Sequence, residues 1–491
     1  MSARRGLIPV TLLALACVTA LAWATRHQFV DDAFIGFRYL ANLRAGHGFV
    51  FNPGDAPVEG VTNLGWILLL LGLSSVMPVG FAAKLAGFAA LVIGLACVAR
   101  LLTHLHQAPA DAPSPLLLGA PLLLIATCFD VVFFSLAGLE TGLLLAQLMA
   151  LVLLTSRAGG SRWIGLVAGL AFVVRPEAIL VVIINAVLRR DRNASHALAV
   201  GLAIALATTA ARIFIFGDYL PQPARAKGSG FAILLVNLRG LAIGAGPYLP
   251  FPIIGLPALG LMFLGWRRLR PRDAAPADML AAIAAAGVIF VLYALPDWTE
   301  LARYAAPYAP AMIILAWAGL AELIKPRALL TATLVALLAV GALDHVAKNG
   351  RADRFPGYVM FGERLVAPAS WIAANTPRDA VIATRRIGAV AYIGERKIFD
   401  YAVGITDREV ARLYAAPERG LTDPNDARLA ALWRRARPTH LLEDDDVIDT
   451  IARRSGGDRT RFIVQGDAFR VVRGFALGSD REWLLAERLR D

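Results

Sequence analysis

Charge and cysteine are what this chain has least of. Only 18% of its 491 residues are Asp, Glu, Lys or Arg, against 57% hydrophobic, and the mean hydropathy is +0.60. Soluble domains carry about a quarter of their residues charged. The shortage therefore excludes a soluble enzyme and leaves a polytopic membrane protein. The three cysteines, Cys17, Cys97 and Cys128, lie in apolar segments and offer neither a disulfide framework nor a metal cluster. His47 has no second histidine nearby at metal-ligand spacing and reads as a loop residue. The net charge of +12 comes from basic loops and an Arg-rich C-terminal part. No soluble module carries a basic stripe interleaved with aromatics, so nucleic acid is not an expected partner.

What the chain has in plenty is apolar sequence in helix-length runs, from Leu7 to about Val346. These predict helices at 7–24, 81–103, 115–129, 139–156, 161–174, 177–188, 196–216, 247–265, 279–296, 307–324 and 328–346. Several are shorter than the ~20 residues a bilayer normally needs. Leu64–Met77 is short, and counting it as a span would move the basic loops to the wrong side, so it reads as juxtamembrane or half-inserted. Eleven spans result. Arg4 and Arg5, an apolar core and Ala22-Trp23-Ala24 fit either a cleavable signal peptide or an uncleaved first helix. A lipobox at Cys17 fits poorly, because Ala14 is a weak match and the apolar run continues.

The positive-inside rule puts the loops with Arg100, Arg157, Arg189 to Arg192, Arg267 to Arg272 and Lys325 in the cytoplasm. The expected architecture is a transmembrane domain, 1–347, with an external loop at 25–64, and an extracytoplasmic α/β domain at 348–491. In the latter, 380–393, 397–404, 438–445 and 460–466 have strand-like runs, and Val410–Tyr414 has helical spacing. Glu443–Asp446 reads as a solvated turn. No nucleophile triad, metal cluster or phosphate loop is legible there.

The most informative stretch is DDAFIGFRYLANLRAGHGFVFNPGDAPVEGVTN, residues 31–63. Two adjacent acids, Asp31 and Asp32, stand just beyond the first apolar run, where carboxylates are costly to hold. With His47, Asn52, Glu59 and Asn63 following among glycines and prolines, the segment reads as a catalytic loop on the membrane surface. On the same topology other polar groups fall mostly on that side. They are Glu140 in SLAGLETG; Arg175 and Glu177 in VRPEA; Asp218, Tyr219, Gln222 and Lys227 in FGDYLPQPARAK; and Asp297, Glu300, Arg303 and Tyr304 in DWTELARYAAP. Acids and bases gathered on one face suggest a site built from several helix ends.

DDAFIGFRYLANLRAGHGFVFNPG…EGVTN resembles the first external loop of GT-C fold bacterial membrane glycosyltransferases, nearest to the terminal arabinofuranosyltransferases of mycobacterial cell walls. GLET (138–141), RPE (175–177), GDYLPQPARAK (217–227) and ARY…P (302–307) match in order, and DAVIATRRIGAVAYIGERKIFDYAVGITD resembles the family's external domain. Gln222 and Pro223 replace a more usual asparagine and threonine. The resemblance implies a multi-pass protein of the bacterial cytoplasmic membrane, with its active site outside. It also implies a polyprenyl-phosphate sugar donor and a glycan or glycolipid acceptor. Such a transfer needs a carboxylate base for the acceptor hydroxyl, and Asp32 is preferred slightly over Asp31. The other acid would orient an acceptor hydroxyl, the loop or a metal ion. The departing phosphate needs cations or donors. Lys227, Arg303 and Arg175 are candidates, with Tyr304, Tyr219 and Arg38, while Glu59 and Asn63 suit sugar hydroxyls.

Each residue also has a plainer reading. The acids fit a helix N-cap, although a cap needs only one. Arg175 and Glu177 fit an ion pair covering the break at Pro176. Glu140 fits a helix-dipole acid, and Lys227 and Arg303 fit interfacial or snorkelling cations. No motif demands a cofactor, and a divalent ion bridging a carboxylate and the phosphate is compatible with the residue set. Two rival functions are a flippase for a lipid-linked sugar, which calls for mid-membrane polar groups and often internal repeats, and a non-catalytic envelope protein that keeps the fold.

Overall fold

The computed structural model describes residues 2–105, 114–157, 160–226, 231–243, 255–294, 302–354, 361–402, 404–414, 423–476 and 481–489. In chain order the helices begin with α1 (Ser2–Ala24), α2 (Asp31–Arg44), α3 (Leu64–Leu73), α4 (Val79–Leu105), α5 (Pro115–Ala126), α6 (Phe129–Leu136), α7 (Thr141–Thr155) and α8 (Ser161–Val174). Next come α9 (Ile179–Arg189), α10 (Arg192–Phe216), α11 (Gln222–Ala226), α12 (Phe231–Ile243), α13 (Gly255–Leu269), α14 (Ala274–Tyr293), α15 (Ala309–Leu323) and α16 (Arg327–Arg354). The last are α17 (Phe361–Asn375), α18 (Ile387–Gly394), α19 (Arg408–Tyr414), α20 (Ala430–Ala436) and α21 (Asp445–Ser455).

Two compact units result. The first comprises Met1–Arg26, Asn63–Ala210 and Ser229–Gly350; the second comprises His27–Thr62, Ala211–Gly228 and Arg351–Asp491. The stretch expected as an external loop of the first domain thus folds with the C-terminal residues.

In the first unit each stretch expected to span overlaps a helix among the described residues, although 115–129 is broken between α5 and α6, 177–188 opens in a 3-10 turn, and 139–156 and 307–324 each begin before their helix. Among those residues, five helices are long and apolar enough to cross a membrane: Gly6–Ala24, Val79–Leu105, Arg192–Phe216, Ala274–Tyr293 and Arg327–Lys348. A sixth candidate is the pair α5 and α6, bent by 51° at their junction. Leu64–Leu73, Thr141–Thr155, Ser161–Val174 and Ala309–Leu323 are shorter apolar helices. Local sequence explains several boundaries. Ser114 caps α5 by accepting the Leu117 N–H at 3.4 Å, with Pro115 at the first helical position. α8 stops at Val174 because Pro176 forces Arg175 into an extended conformation (φ −150°, ψ 114°) before a 3-10 turn at Pro176–Ala178. α13 and α15 approach closely at Gly265 and Gly319, where an added Cβ would overlap the Leu315 and Leu261 carbonyls respectively. Small residues serve such approaches in lipid, where apolar surface alone drives no association.

The second unit holds a six-stranded sheet, with β1 (Val381–Ala383), β2 (Lys397–Phe399), β3 (His440–Asp444), β4 (Arg461–Val464), β5 (Asp467–Ala476) and β6 (Glu482–Arg488). The order is β2-β1-β3-β6-β5-β4; β1 pairs parallel with β2 and β3, and the remaining pairs are antiparallel. Its core gathers Trp433, Leu441, Ile448, Phe462 and Phe469, all buried. Three expectations are corrected here. Residues 387–393, read as strand, belong to α18; Glu443, read as a solvated turn, is fully buried; and residues 31–44, read as loop, form α2. β5 and β6 carry no expectation in the sequence.

The 27–62 segment is fastened to this sheet by polar side chains. β2 is an edge strand, and Asn52 closes it: the Asn52 Nδ2 donates to the Ile398 carbonyl at 2.9 Å, and the Ile398 N–H donates to Asn52 Oδ1 at 3.0 Å. An edge strand's free amides are thereby satisfied. Asn42 donates to the Val50 and Phe51 carbonyls, both at 2.8 Å, and the Tyr39 hydroxyl donates to the Val58 carbonyl at 2.6 Å.

Candidate functional site

The predicted residues gather in two clusters, one in each unit.

In the second unit, Asp31 and Asp32 occupy the first turn of α2, after Val30 as N-cap. Neither carboxylate provides the N-cap of that helix, since the cap residue makes no side-chain bond. Asp31 instead caps a different helix: its carboxylate accepts the Gly388 N–H at 3.0 Å and the Ala389 N–H at 2.7 Å, both in the first turn of α18. Those amides have no intrahelical partner, and an anion there meets the positive end of the helix dipole. Gly388 is needed for the approach, because a Cβ would overlap the Asp31 carbonyl oxygen and come within 2.8 Å of its carboxylate. Asp31 is only 5% exposed. Burial pushes its carboxyl up to about 6, against the lowering effect of the two amides. Asp32 is half-buried. One residue on in a helix is a turn of about 100°, so it points in another direction.

Arg38 does not pair with either acid. Its Nε donates to the Phe51 carbonyl at 3.1 Å and its Nη2 to the Arg396 carbonyl at 3.5 Å, so it holds backbone. Glu59, 4% exposed, takes the Nε of Arg212 on both oxygens, at 3.1 and 3.0 Å. Burial raises the Glu59 carboxyl and Arg212 lowers it. Arg212, 2% exposed, is a partner the sequence reading missed. The available signal was an ionisable residue inside the α10 apolar run, where charges are rare and paired. Gln222 donates its backbone N–H to the Glu59 carbonyl at 2.9 Å, and its own buried Nε2 finds no hydrogen-bond acceptor among the described residues. Asp218 pairs with Arg225 at 2.6 Å, and Arg225 lies over the ring of Tyr219, which is 56% exposed. Lys227 lies outside the described residues.

In the first unit the break between α8 and α9 puts Arg175 among acids. Arg175 meets Glu140 at 3.1 Å and Glu177 at 2.6 Å, and Asn63 Nδ2 donates to the other Glu140 oxygen at 2.6 Å. The guanidinium also faces the rings of Phe290 at 5.6 Å and Tyr304 at 5.9 Å. Arg303, 8% exposed, lies within electrostatic reach of Arg175. Four separate motifs, at Asn63, Glu140, Arg175–Glu177 and Arg303–Tyr304, therefore share one neighbourhood. The ion-pair reading of Arg175 with Glu177 is what the geometry displays, extended by Glu140. Asp297 and Glu300 lie outside the described residues.

A second buried acid of this unit was not read from the sequence. Asp130, fully buried at the start of α6, accepts Lys348 Nζ at 2.8 Å and the Ala302 N–H at 3.3 Å, while Lys348 also meets Asp344 at 2.9 Å. Among the described residues no group of three or more His, Cys, Asp and Glu side chains has a metal-holding arrangement.

Against known proteins, a family profile described as "Domain of unknown function (DUF8728)" matches residues 359–486. The chain is 26% identical over 368 residues to the terminal beta-(1->2)-arabinofuranosyltransferase of Mycobacterium tuberculosis, which takes in 63% of this chain and 56% of that relative. The match thus spans little more than half of the relative's length. Among solved structures, the apo oligosaccharyltransferase of Archaeoglobus fulgidus is similar with a TM-score of 0.57 at 12% identity, covering 90% of this chain and 70% of that one. ArnT from Cupriavidus metallidurans, solved with undecaprenyl phosphate, is similar with a TM-score of 0.53 at 13% identity, covering 97% of each. At such identities the likeness is one of fold. The chain has a GT-C-like helical architecture with a sheet-containing C-terminal domain.

Proposed function

We propose that this chain is a membrane glycosyltransferase that moves a sugar from a polyprenyl phosphate to a glycan or glycolipid acceptor of the cell envelope. The observation that carries this reading is the division of labour between the two adjacent acids. Asp31 is tied to the two amides of α18 and so fixes the start of α2. Asp32, half-buried on the next position, is the general base. It takes the proton of the acceptor hydroxyl as that oxygen attacks the anomeric carbon. The bond from that carbon to the phosphate oxygen breaks, and polyprenyl phosphate leaves. A positioned carboxylate is needed because the hydroxyl's own pKa lies far above neutral. Direct displacement by one base corresponds to inversion at the anomeric carbon.

The departing phosphate requires positive charge. Arg175 is already matched by Glu140 and Glu177, so its role is to hold Glu140 and, through it, Asn63. We assign the phosphate to Arg303, with Tyr304 as a donor. Glu59, bound to Arg212 on both oxygens, shapes the 27–62 segment rather than binding sugar hydroxyls. Undecaprenyl phosphate in the similarly folded ArnT supports a lipid-phosphate donor, and the mycobacterial relative supports arabinofuranose as the sugar. The reading places this chemistry on the extracytoplasmic face of the cytoplasmic membrane, where nucleotide sugars are absent.

The test is release of polyprenyl phosphate by the purified protein in lipid nanodiscs, given a panel of polyprenyl-phosphate sugars and a mixed glycan acceptor. Turnover of the arabinofuranosyl donor is the expected result. Turnover of a different sugar alone would overturn the choice of sugar, and consumption of none would overturn the enzyme.

A further inference from the structure

Glu443 is a buried acid of the second unit that the proposed chemistry does not use. It stands on β3, fully buried, and its carboxylate takes three donors. The Arg385 N–H donates to Oε1 at 2.9 Å, the Arg385 Nε to Oε2 at 2.9 Å and the Tyr401 hydroxyl to Oε1 at 2.8 Å. The Arg385 Nη2 donates in turn to Asp444 Oδ1 at 2.9 Å. One of the three donors is a backbone amide, so the carboxylate holds the chain at Arg385 and not its side chain alone. Residues 384–386 are the connection from β1 to α18. Its other two residues are tied as well: the Thr384 N–H donates to the Phe399 carbonyl at 3.3 Å, and the Arg386 N–H to Thr384 Oγ1 at 3.1 Å.

A buried carboxylate paired with arginine is weak evidence for stability, since well-packed apolar side chains often do as well. What this arrangement supplies is position. α18 has Arg386 as N-cap and no side-chain cap bond from it. Its first-turn amides, Gly388 and Ala389, go instead to Asp31 at 3.0 and 2.7 Å. Farther along α18, the Tyr392 ring meets Phe34 and Phe37 of α2 at 6.0 and 5.7 Å. Bonds therefore run without a gap from Glu443 through the Arg385 backbone to the start of α18. From there Asp31 carries them to the first turn of α2, where Asp32 is the next residue.

We infer that Glu443 and Arg385 are positioning residues for Asp32: they fix the start of α18, and Asp31 passes that placement to the base. This role rests on the reading of Asp32 as general base and extends it, giving the C-terminal domain a part in the reaction. A base has to stand within hydrogen-bond reach of its proton, and a displacement of about 1 Å costs up to about 100-fold in rate.

The test uses the full chain in lipid nanodiscs and reads two quantities, sugar transfer from the polyprenyl-phosphate donor and amide hydrogen exchange. Glu443→Gln keeps the shape but sets an NH₂ group against donors. It is expected to lower kcat about tenfold with the donor KM unchanged. Exchange should quicken over residues 385–394 and 31–36, while the β4–β5 hairpin keeps its wild-type protection. In an Asp32→Asn background the same change should cost nothing further, because no base is left to misplace. A merely structural role would lower the rate by the same factor in both backgrounds. Tyr401→Phe removes one donor and no charge; it should repeat the pattern with a loss of about threefold, and it decides the matter if Glu443→Gln does not fold. Ile451→Val, in the core of the same sheet domain, should lower Tm and leave kcat unchanged. Wild-type exchange over both segments in Glu443→Gln, or equal rate losses in the two backgrounds, would overturn the positioning role. Failure of the underlying reading shows separately: Asp32→Asn turning over at the wild-type rate removes the base, and this role with it, whatever Glu443 does.

Discussion

Asp31 is held in its carboxylate form by two amides and pressed toward its acid form by burial, and burial prevails. Its pKa stands at about 6, against an ordinary 3.8. A folded-state pKa above the unfolded one means that its stabilising contribution is complete below about pH 3.8 and lost as pH rises through 6. The gap corresponds to about 3 kcal/mol. Relative to Asp31→Asn, wild-type protein should lose Tm between about pH 4 and pH 7, in melts run side by side in detergent. A constant difference across that range would contradict the assignment. Glu59 and Arg212 make a second residue-scale case. Truncating one member of a buried ion pair strands the other, at about 3–5 kcal/mol, whereas replacing both with apolar side chains is often neutral. Arg212→Ala should thus destabilise far more than the double change Glu59→Leu with Arg212→Met. Equal losses from both would contradict a buried pair. Glu59 was legible in the sequence as an unusual acid, but its partner lies 153 residues away, and no local pattern could name it.

Among elements, the close passage of α13 past α15 depends on two glycines. Gly319→Ala should lower Tm, because the new methyl would overlap the Leu261 carbonyl. Gly260→Ala, on the same pair of helices but with nothing within 4 Å of its Cβ, should be neutral or raise it, since alanine is the better helix former. Similar Tm losses in both would show that helix propensity, not approach, decides. The helices were largely readable, because apolar runs of helix length are a strong signal in a chain with so little charge. Where reading failed, tertiary context was responsible. α12 (Phe231–Ile243) is only 13 residues and falls below span length. Residues 387–394 alternate small and branched apolar side chains much as a buried strand does, and become α18 with Asp31 at its start. The DDAF segment looked like loop because the glycines and prolines clustered from Gly46 onward coloured the reading of the 14 helical residues before them, which hold Gly36 alone.

At the scale of the molecule, the sequence motifs name the two neighbourhoods well. Asn63, Glu140, Arg175 and Tyr304 come from distant stretches and do meet, as polar groups in an apolar chain are expected to. What the motifs could not convey is which charges are already neutralised: Arg175 by two acids and Asp130 by Lys348. That accounting identifies charges that hold the structure, and the proposed general base, Asp32, is the residue to test. The most direct test is transfer of labelled sugar from its polyprenyl phosphate to acceptor by wild type and Asp32→Asn, both in nanodiscs, with Tm and donor binding measured on the same samples. General-base catalysis predicts a fall in kcat of about 10²–10⁴ with Tm and donor affinity unchanged. Transfer at the wild-type rate by a folded Asp32→Asn protein would contradict it.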